Sequence, residues 1–246
     1  MSKLLVHSFK LFLILLIPPV IILGSVRMLA TEPYLVFEYS KTDFPDDPFG
    51  FDRAQRLAHV AVNLQFVTQD KPLTNLSGQN KNGILLYNSR ELKYMKDVQN
   101  VYQATWLVWQ IALILADLLG LALAWSKEGR PGFASALRSG GALTVGLVAV
   151  VGLGAIVAWQ VWFVVFHQVF FSAGIWTFDF SDTLTRLFPE KFWYDAVLTI
   201  SSLSLIAGSL VHWAGSRFRK VESRELEWYG NENLNLPGRA FHHLDT

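Results

Sequence analysis

Between Trp159 and Trp193 the chain reads WQVWFVVFHQVFFSAGIWTFDFSDTLTRLFPEKFW, which sets one imidazole and several charges in a run of aromatic rings. His167 falls in the last turn of an apolar helix, where the helix dipole favours imidazolium while Phe163, Phe166, Phe170 and Phe171 disfavour it. Opposed pulls of this kind hold a histidine near neutrality, as a group that takes up and returns a proton in one reaction requires. The chain then breaks at Ser172-Ala173-Gly174 and passes Trp176, Asp179, Asp182 and Arg186. Asp182 and Arg186 stand at i, i+4 spacing and read as an ion pair on a short helix that stops at Phe188-Pro189, with Pro189-Glu190 opening the next helix. A well-capped interfacial turn would account for the same residues without any chemistry, so both readings stay open at this level.

Other chemistry is narrowed by what the chain lacks. With no cysteine there is no disulfide, thiolate metal site or cysteine nucleophile. No spacing of His, Asp and Glu matches a metal motif and no glycine-rich loop could cradle a phosphate, so neither a metal nor a cofactor is expected. A net charge of +1 without a basic stripe excludes nucleic acid as a partner. His212 cannot assist His167, because it lies near the far end of a spanning helix, roughly 30 Å away.

The elements that must hold these residues follow from hydropathy. Hydrophobic residues make up 52% of the chain and gather in long uncharged runs. That distribution marks an α-helical membrane protein. Four transmembrane helices are expected, at 11–30, 104–125, 142–171 and 192–213. The first is read as a retained helix, kinked near Pro18-Pro19, and not as a cleaved leader. Lys3 and Lys10, then Lys127, Arg130 and Arg138 in a 126–141 turn, then Arg217, Arg219, Lys220 and Arg224 in a 214–246 tail place those three segments, and both termini, on the cytoplasmic side of the cell membrane. A 31–103 segment and a 172–191 aromatic loop share the outer face. Counting about 20 residues for a ~30 Å core from Leu143 sets His167 about a turn beyond the core, at the interface.

Within 31–103, residues 52–67 carry a helical apolar face of Leu57, Val60, Ala61, Leu64 and Val67, with Arg53 and Arg56 on the polar side and His59 beside it. Residues 71–83 read as a loop and 84–87 as a short strand. Asn88 or Ser89 caps a helix that runs on into the second apolar run. Along it Arg90, Tyr94, Asp97 and Val101 share a stripe. Asp117, inside the second run, is read first as a packing carboxylate held protonated by a hydroxyl of a neighbouring helix, with a proton or substrate role as the alternative. Gly146, Ala149 and Gly152 on the third run, and Ser201, Ser204 and Gly208 on the fourth, allow close helix approach in lipid.

The segments FHQVFF (166–171), GIWTFDFSDTL (174–184), LFPEKFW (187–193), FGFDRAQRLA (49–58) and RELKYMKDVQ (90–99) resemble a family of prokaryotic integral membrane proteins that includes the lipoprotein intramolecular transacylases. The resemblance covers most of the chain from the first helix to the fourth. It implies movement of an acyl chain from the glyceryl sn-2 ester of a lipidated N-terminal cysteine onto that cysteine's own α-amine, at the outer membrane face and without a cofactor. Membrane lipids and lipidated proteins are then the partners. It also implies that two histidines carry the reaction, one of them at His167. The second belongs in a segment E-x-x-H-M-x-D-V, where Glu91-Leu92-Lys93-Tyr94-Met95-Lys96-Asp97-Val98 has Tyr94 in its place. A phenol donates a hydrogen bond to an oxyanion but is a poor base at neutral pH. The departure leaves two expectations. One is a single-histidine acyltransferase, with Tyr94 as oxyanion donor, Asp97 orienting a partner, and Arg90, Arg186, Asp182 and Trp176 at the substrate. The other is a non-catalytic subunit packed among other integral membrane subunits.

Overall fold

The computed structural model describes residues 1–172 and 174–234, the backbone alone from 219 on. Nine helices and one small hairpin follow in order among the described residues: α1 (Lys3–Leu29), α2 (Glu32–Ser40), α3 (Arg53–Thr68), α4 (Thr74–Ser77), β1 (Asn80–Lys81), β2 (Ile84–Leu85), α5 (Ser89–Trp125), α6 (Arg130–Val157), α7 (Trp159–Phe170), α8 (Thr183–Leu187) and α9 (Glu190–Leu234). Four are long and apolar enough to cross a membrane: α1, α5, α6 and α9 as far as Phe218. Their apolar side chains are largely exposed, Leu118, Leu121, Val150 and Leu210 among them. A helix that is apolar all round and still exposed has lipid as its solvent.

The bundle is held by small residues. α6 packs most extensively on α9 and α1, and α1 also lies along α5. One of the closest helix–helix approaches is at Gly141, where a Cβ would sit 2.5 Å from both the Gly208 carbonyl oxygen and the His212 backbone nitrogen. Gly152 faces Ser201 and Gly208 faces Thr144, as their spacing predicts, but Gly146 has open space where its Cβ would go. The two glycines therefore respond oppositely to a methyl group. Gly141→Ala is expected to destabilise the detergent-solubilised protein by about 1–3 kcal/mol through overpacking against backbone. Gly146→Ala should be neutral or gain a few tenths from helix propensity, and paired thermal unfolding curves check both.

Several element boundaries differ from the sequence reading. The 126–141 turn is short, because Pro131 near the start of α6 suits a helix's first turn and the helix begins at Arg130. The 142–171 run is two helices, since the backbone at Ala158 leaves the helical region (φ −139°, ψ 54°) and α7 starts at Trp159. Within 172–191, α8 occupies Thr183–Leu187. Helix α9 continues past 213 to Leu234, while the side chains of Arg219, Lys220 and Arg224 and the last twelve residues of the 214–246 tail lie outside the described residues. Helix α1 stays helical through Pro18 and Pro19. Asp117, expected against a neighbouring hydroxyl, stands instead on the exposed face of α5.

The 31–103 segment folds with the 172–191 loop into a cap over one end of the bundle. Its core includes Tyr39, Phe66, Leu76 and Leu187, all essentially inaccessible. Helix α3 packs Val60, Leu57, Leu64 and Val67 of its predicted apolar face against that core but is rotated so that Arg56, Asn63 and Phe66 are also buried. Arg56 is tolerated there because its guanidinium donates to the Pro45 carbonyl at 2.6 Å and lies over the Tyr39 and Phe44 rings. His59 is half-buried and bonded to Gln79 at 2.7 Å. Residues 71–83 hold α4 and half of the β hairpin. At the opposite end of the molecule the N-terminal amine lies 3.4 Å from Glu128, so the start of α1 and the α5–α6 turn share one side.

Candidate functional site

Tyr94 reaches the site because α5 is unusually long. Asn88 caps it with a reciprocal capping box, accepting from the Arg90 and Glu91 N–H groups while Glu91 accepts from its own N–H at 2.8 Å. Thirty-seven residues make a rod of about 55 Å, well beyond a ~30 Å hydrocarbon core. Its outer turns stand in the cap. The second Glu91 oxygen accepts from the Leu184 N–H at 2.8 Å, which ties α8 to the same end.

Helix α7 inverts the usual pattern of a soluble helix. It exposes Val161, Val165, Val169 and Phe170 and buries a single residue, His167. An apolar exterior with a polar interior residue is how a helix lies when lipid is outside it. Gly174 (φ +82°) then turns the chain, a conformation that a side chain resists, and brings Trp176 back over the imidazole and Phe178 against Tyr94. The His167 ring centroid lies 4.1 Å from Phe163 and 4.9 Å from Trp176.

The hydrogen bonds assign the tautomer. His167 Nδ1 is 2.8 Å from the Phe163 carbonyl oxygen, which only accepts, so Nδ1 carries the hydrogen. Nε2 is then a lone pair, and the Tyr94 hydroxyl, 3.3 Å away, donates to it. Burial drives the His167 pKa below the ordinary 6.5, opposed only by the Phe163 bond, so burial wins over the expected balance and the ring is neutral at pH 7.

Both groups open into a cavity of about 570 Å³ whose lining is mostly apolar, contributed by the outer ends of α1 and α5, by α2, α3 and α7, by the 176–180 loop and by the start of α9. Its polar lining includes Asn63, Gln160, Thr177 and Glu190 besides Tyr94 and His167. Volume and character suit an apolar ligand with a small polar centre.

Of the residues singled out in the sequence, His167, Tyr94 and Trp176 meet at this cavity. Asp97 is half-buried and is not among its lining residues. Asp182 and Arg186 do not pair with each other. Asp182 accepts from Arg90 at 2.9 Å, from the Asn88 side chain at 3.0 Å and from the Asp179 N–H at 2.9 Å, which staples the aromatic loop to the start of α5. Arg186 instead grips Asp47 at 2.9 and 3.2 Å and lies over the Phe51 ring. Burial pushes the Asp47 carboxyl up, but Arg186 and the Phe51 N–H pull it further down, to a net pKa below its ordinary 3.8. Both arginines are thus engaged by carboxylates of the cap, and neither lines the cavity. Pairing between distant segments overrides the local i, i+4 geometry because Asp182 is the N-cap residue of α8, its backbone outside the helix.

Glu190 and Gln160 are among the polar lining residues that sequence reasoning passed over, with Asn63 and Thr177. Glu190 was legible only as the opening of a helix after Pro189; nothing local marks it as facing a cavity.

Comparison with known proteins places this architecture. An uncharacterised protein of Aquifex aeolicus (strain VF5) is 30% identical over 215 residues, 84% of this chain and 92% of that protein. The membrane integral lipoprotein intramolecular transacylase Lit from Bacillus cereus superposes with a TM-score of 0.76 at 19% identity, covering 91% of this chain and 100% of its own. A variant of that enzyme with one histidine replaced by arginine gives 0.68 at 19% identity, covering 89% of this chain and 94% of that one. The family model for the lipoprotein intramolecular transacylase Lit matches residues 11–193. Long apolar helices, a cap enclosing a histidine, and a family match over most of the chain agree: this is a multi-pass membrane protein that belongs to the lipoprotein intramolecular transacylase family.

Proposed function

We propose that the chain catalyses acyl transfer from a glyceryl ester to the N-terminal amine of a lipidated protein, with His167 as the sole acid and base. The observation that carries this reading is a neutral imidazole whose Nε2 lone pair meets a phenol hydroxyl inside a cavity of lipid character. The amine nitrogen attacks the ester carbonyl carbon while Nε2 takes the amine proton. Tyr94 turns its hydroxyl from Nε2 onto the developing oxyanion. As the tetrahedral intermediate collapses, the bond to the glyceryl oxygen breaks and the imidazolium returns its proton there, leaving an amide and a free glyceryl hydroxyl. Proton uptake and delivery balance on one ring, so no second base is needed.

The distribution of charge supports one membrane orientation. Lys3 and Lys10 on α1 and Lys127 and Arg130 at the α5–α6 turn occupy the end where the N-terminus meets Glu128. The bias of basic residues toward the cytoplasm supports both termini being inside and the cap with its cavity outside. Membrane lipids and lipidated proteins are then the partners.

Tyr94 at the position of a family histidine favours a second reading, a non-catalytic subunit of a larger membrane complex. Expression in a strain that makes only diacylglyceryl lipoproteins, followed by mass and fragment analysis of their N-terminal peptides, separates the two. Acyl transfer to the amine is expected, and unchanged acyl positions would remove the enzymatic reading. The depressed His167 pKa adds a pH signature. The neutral imidazole is the active form, so beyond the decline that protonation of the substrate amine imposes below about pH 8, a second decline due to His167 is expected only below 6.5. A second decline centred above 6.5 would place the titrating base elsewhere.

A further inference from the structure

Besides His167, one lining residue of the cavity among the described residues has an ionisable carboxyl or basic side chain, and that residue is Glu190. It is exposed yet lines the cavity, which puts it at the mouth. One carboxylate oxygen, Oε1, accepts from the Gln160 side-chain amide at 2.8 Å, a bond that joins the first turn of α7 to the first turn of α9. No lysine or arginine among the described residues neutralises it: the adjacent Lys191 is held at 2.8 Å by Asp43 and at 2.9 Å by Asp195. Arg90 and Arg186 of the cap are likewise occupied, by Asp182 and Asp47.

An apolar cavity with a single unpaired anion at its entrance selects by charge. We propose that Glu190, oriented by Gln160, is the recognition site for the primary ammonium of the lipid substrate and discriminates against anionic phospholipid headgroups. The inference rests on the acyl-transfer reading for the identity of that ammonium, the α-amine of a lipidated N-terminus. With a reference pKa of about 7.7–8.0, such an amine is mostly protonated at neutral pH. A charged amine is held poorly among rings, whereas a carboxylate at the water-exposed rim stabilises it until it releases its extra proton to solvent and enters as the neutral amine. A phosphate-bearing lipid meets the same carboxylate as a like charge, with no free cation lining the cavity to offset the repulsion. Glu190 is thus a specificity residue at the entrance, separate from the proton transfer at His167.

The test measures binding without turnover. The full chain is reconstituted in neutral phosphatidylcholine nanodiscs and titrated with a dialkylglyceryl cysteinyl peptide, whose ether-linked chains cannot be transferred, and with its N-acetyl counterpart. The free-amine peptide is expected to bind about tenfold more tightly, the scale of a charge-assisted hydrogen bond. Glu190→Gln should erase that preference and let phosphatidylglycerol compete better, while Glu190→Asp keeps most of it. Equal binding of the two peptides to the wild type, an equal loss for both in Glu190→Gln, or no binding of either would overturn the assignment. If the preference holds but no acyl transfer occurs in cells, the amine site stands and the catalytic reading falls. Transfer with no preference has the opposite meaning.

Discussion

His167→Asn is expected to reduce acyl transfer by about 10²–10⁴-fold, the range contributed by a positioned acid–base group, while leaving expression and thermal stability near those of the wild type. Asparagine can place an amide N–H close to the Nδ1 position and so keep the bond to the Phe163 carbonyl. It has nothing at Nε2, where the proton must go. His167→Ala is the less informative change, because deleting a buried ring packed on Phe163 and Trp176 leaves a void and lowers stability as well. The readout is the fraction of lipoprotein N-termini carrying an amide-linked acyl chain, normalised to the amount of protein in the membrane. Wild-type conversion by His167→Asn would show that the imidazole is structural and would end the single-histidine mechanism.

The second large effect belongs to Tyr94. Its ring is fixed by Phe171 at 5.1 Å and Phe178 at 5.3 Å, contacts that a phenylalanine would keep. Tyr94→Phe therefore removes little but the hydroxyl, and the transfer rate is expected to fall about 10²–10³-fold, as when one oxyanion donor is lost. Stability should change by no more than about 1 kcal/mol, the usual net worth of one hydrogen bond. Tyr94→His restores the two-histidine pattern implied for the family and should retain far more activity than Tyr94→Phe. If phenylalanine and histidine at this position behave alike, Tyr94 is a packing residue and the hydroxyl has no part in the reaction. Measuring initial rates at saturating substrate isolates the chemical step from any change in binding.

The legible parts of this protein are those written in short range. Four apolar runs announce the spanning helices because a ~30 Å core demands about twenty predominantly apolar residues in a row. Asn88 followed by Glu91 spells a capping box, so the start of α5 and its uninterrupted course are local facts. His167 stands out because one imidazole among phenylalanines is unusual in any context. The break at Ala158 has no comparable signature: no proline or glycine sits there, and the bend separates a bundle helix from one that lies beneath the cap.

The charged residues show why pairing was harder to read. Asp182 and Arg186 satisfy the i, i+4 rule, yet each found a partner on a distant segment, Arg90 and Asp47. The helical rule describes exposed neighbours on one continuous helix, whereas residues that join two segments answer to whatever the fold brings opposite them. Arg56 is buried for the same reason, with Pro45, Tyr39 and Phe44 supplying what its neighbours on α3 do not.

By itself the sequence determined that this chain lives in a bilayer and about where four apolar helices run, and it marked a histidine near an aromatic loop as a candidate for chemistry, since hydropathy and side-chain type are properties of each stretch alone. Only the tertiary structure decided that Tyr94, 73 positions from His167 along the chain, points its hydroxyl at that ring, and that Glu190 guards the mouth of their common cavity. Those facts depend on the reach of α5, the turn at Gly174 and the bend before α7 acting together. No local pattern records a distance that three separate elements set.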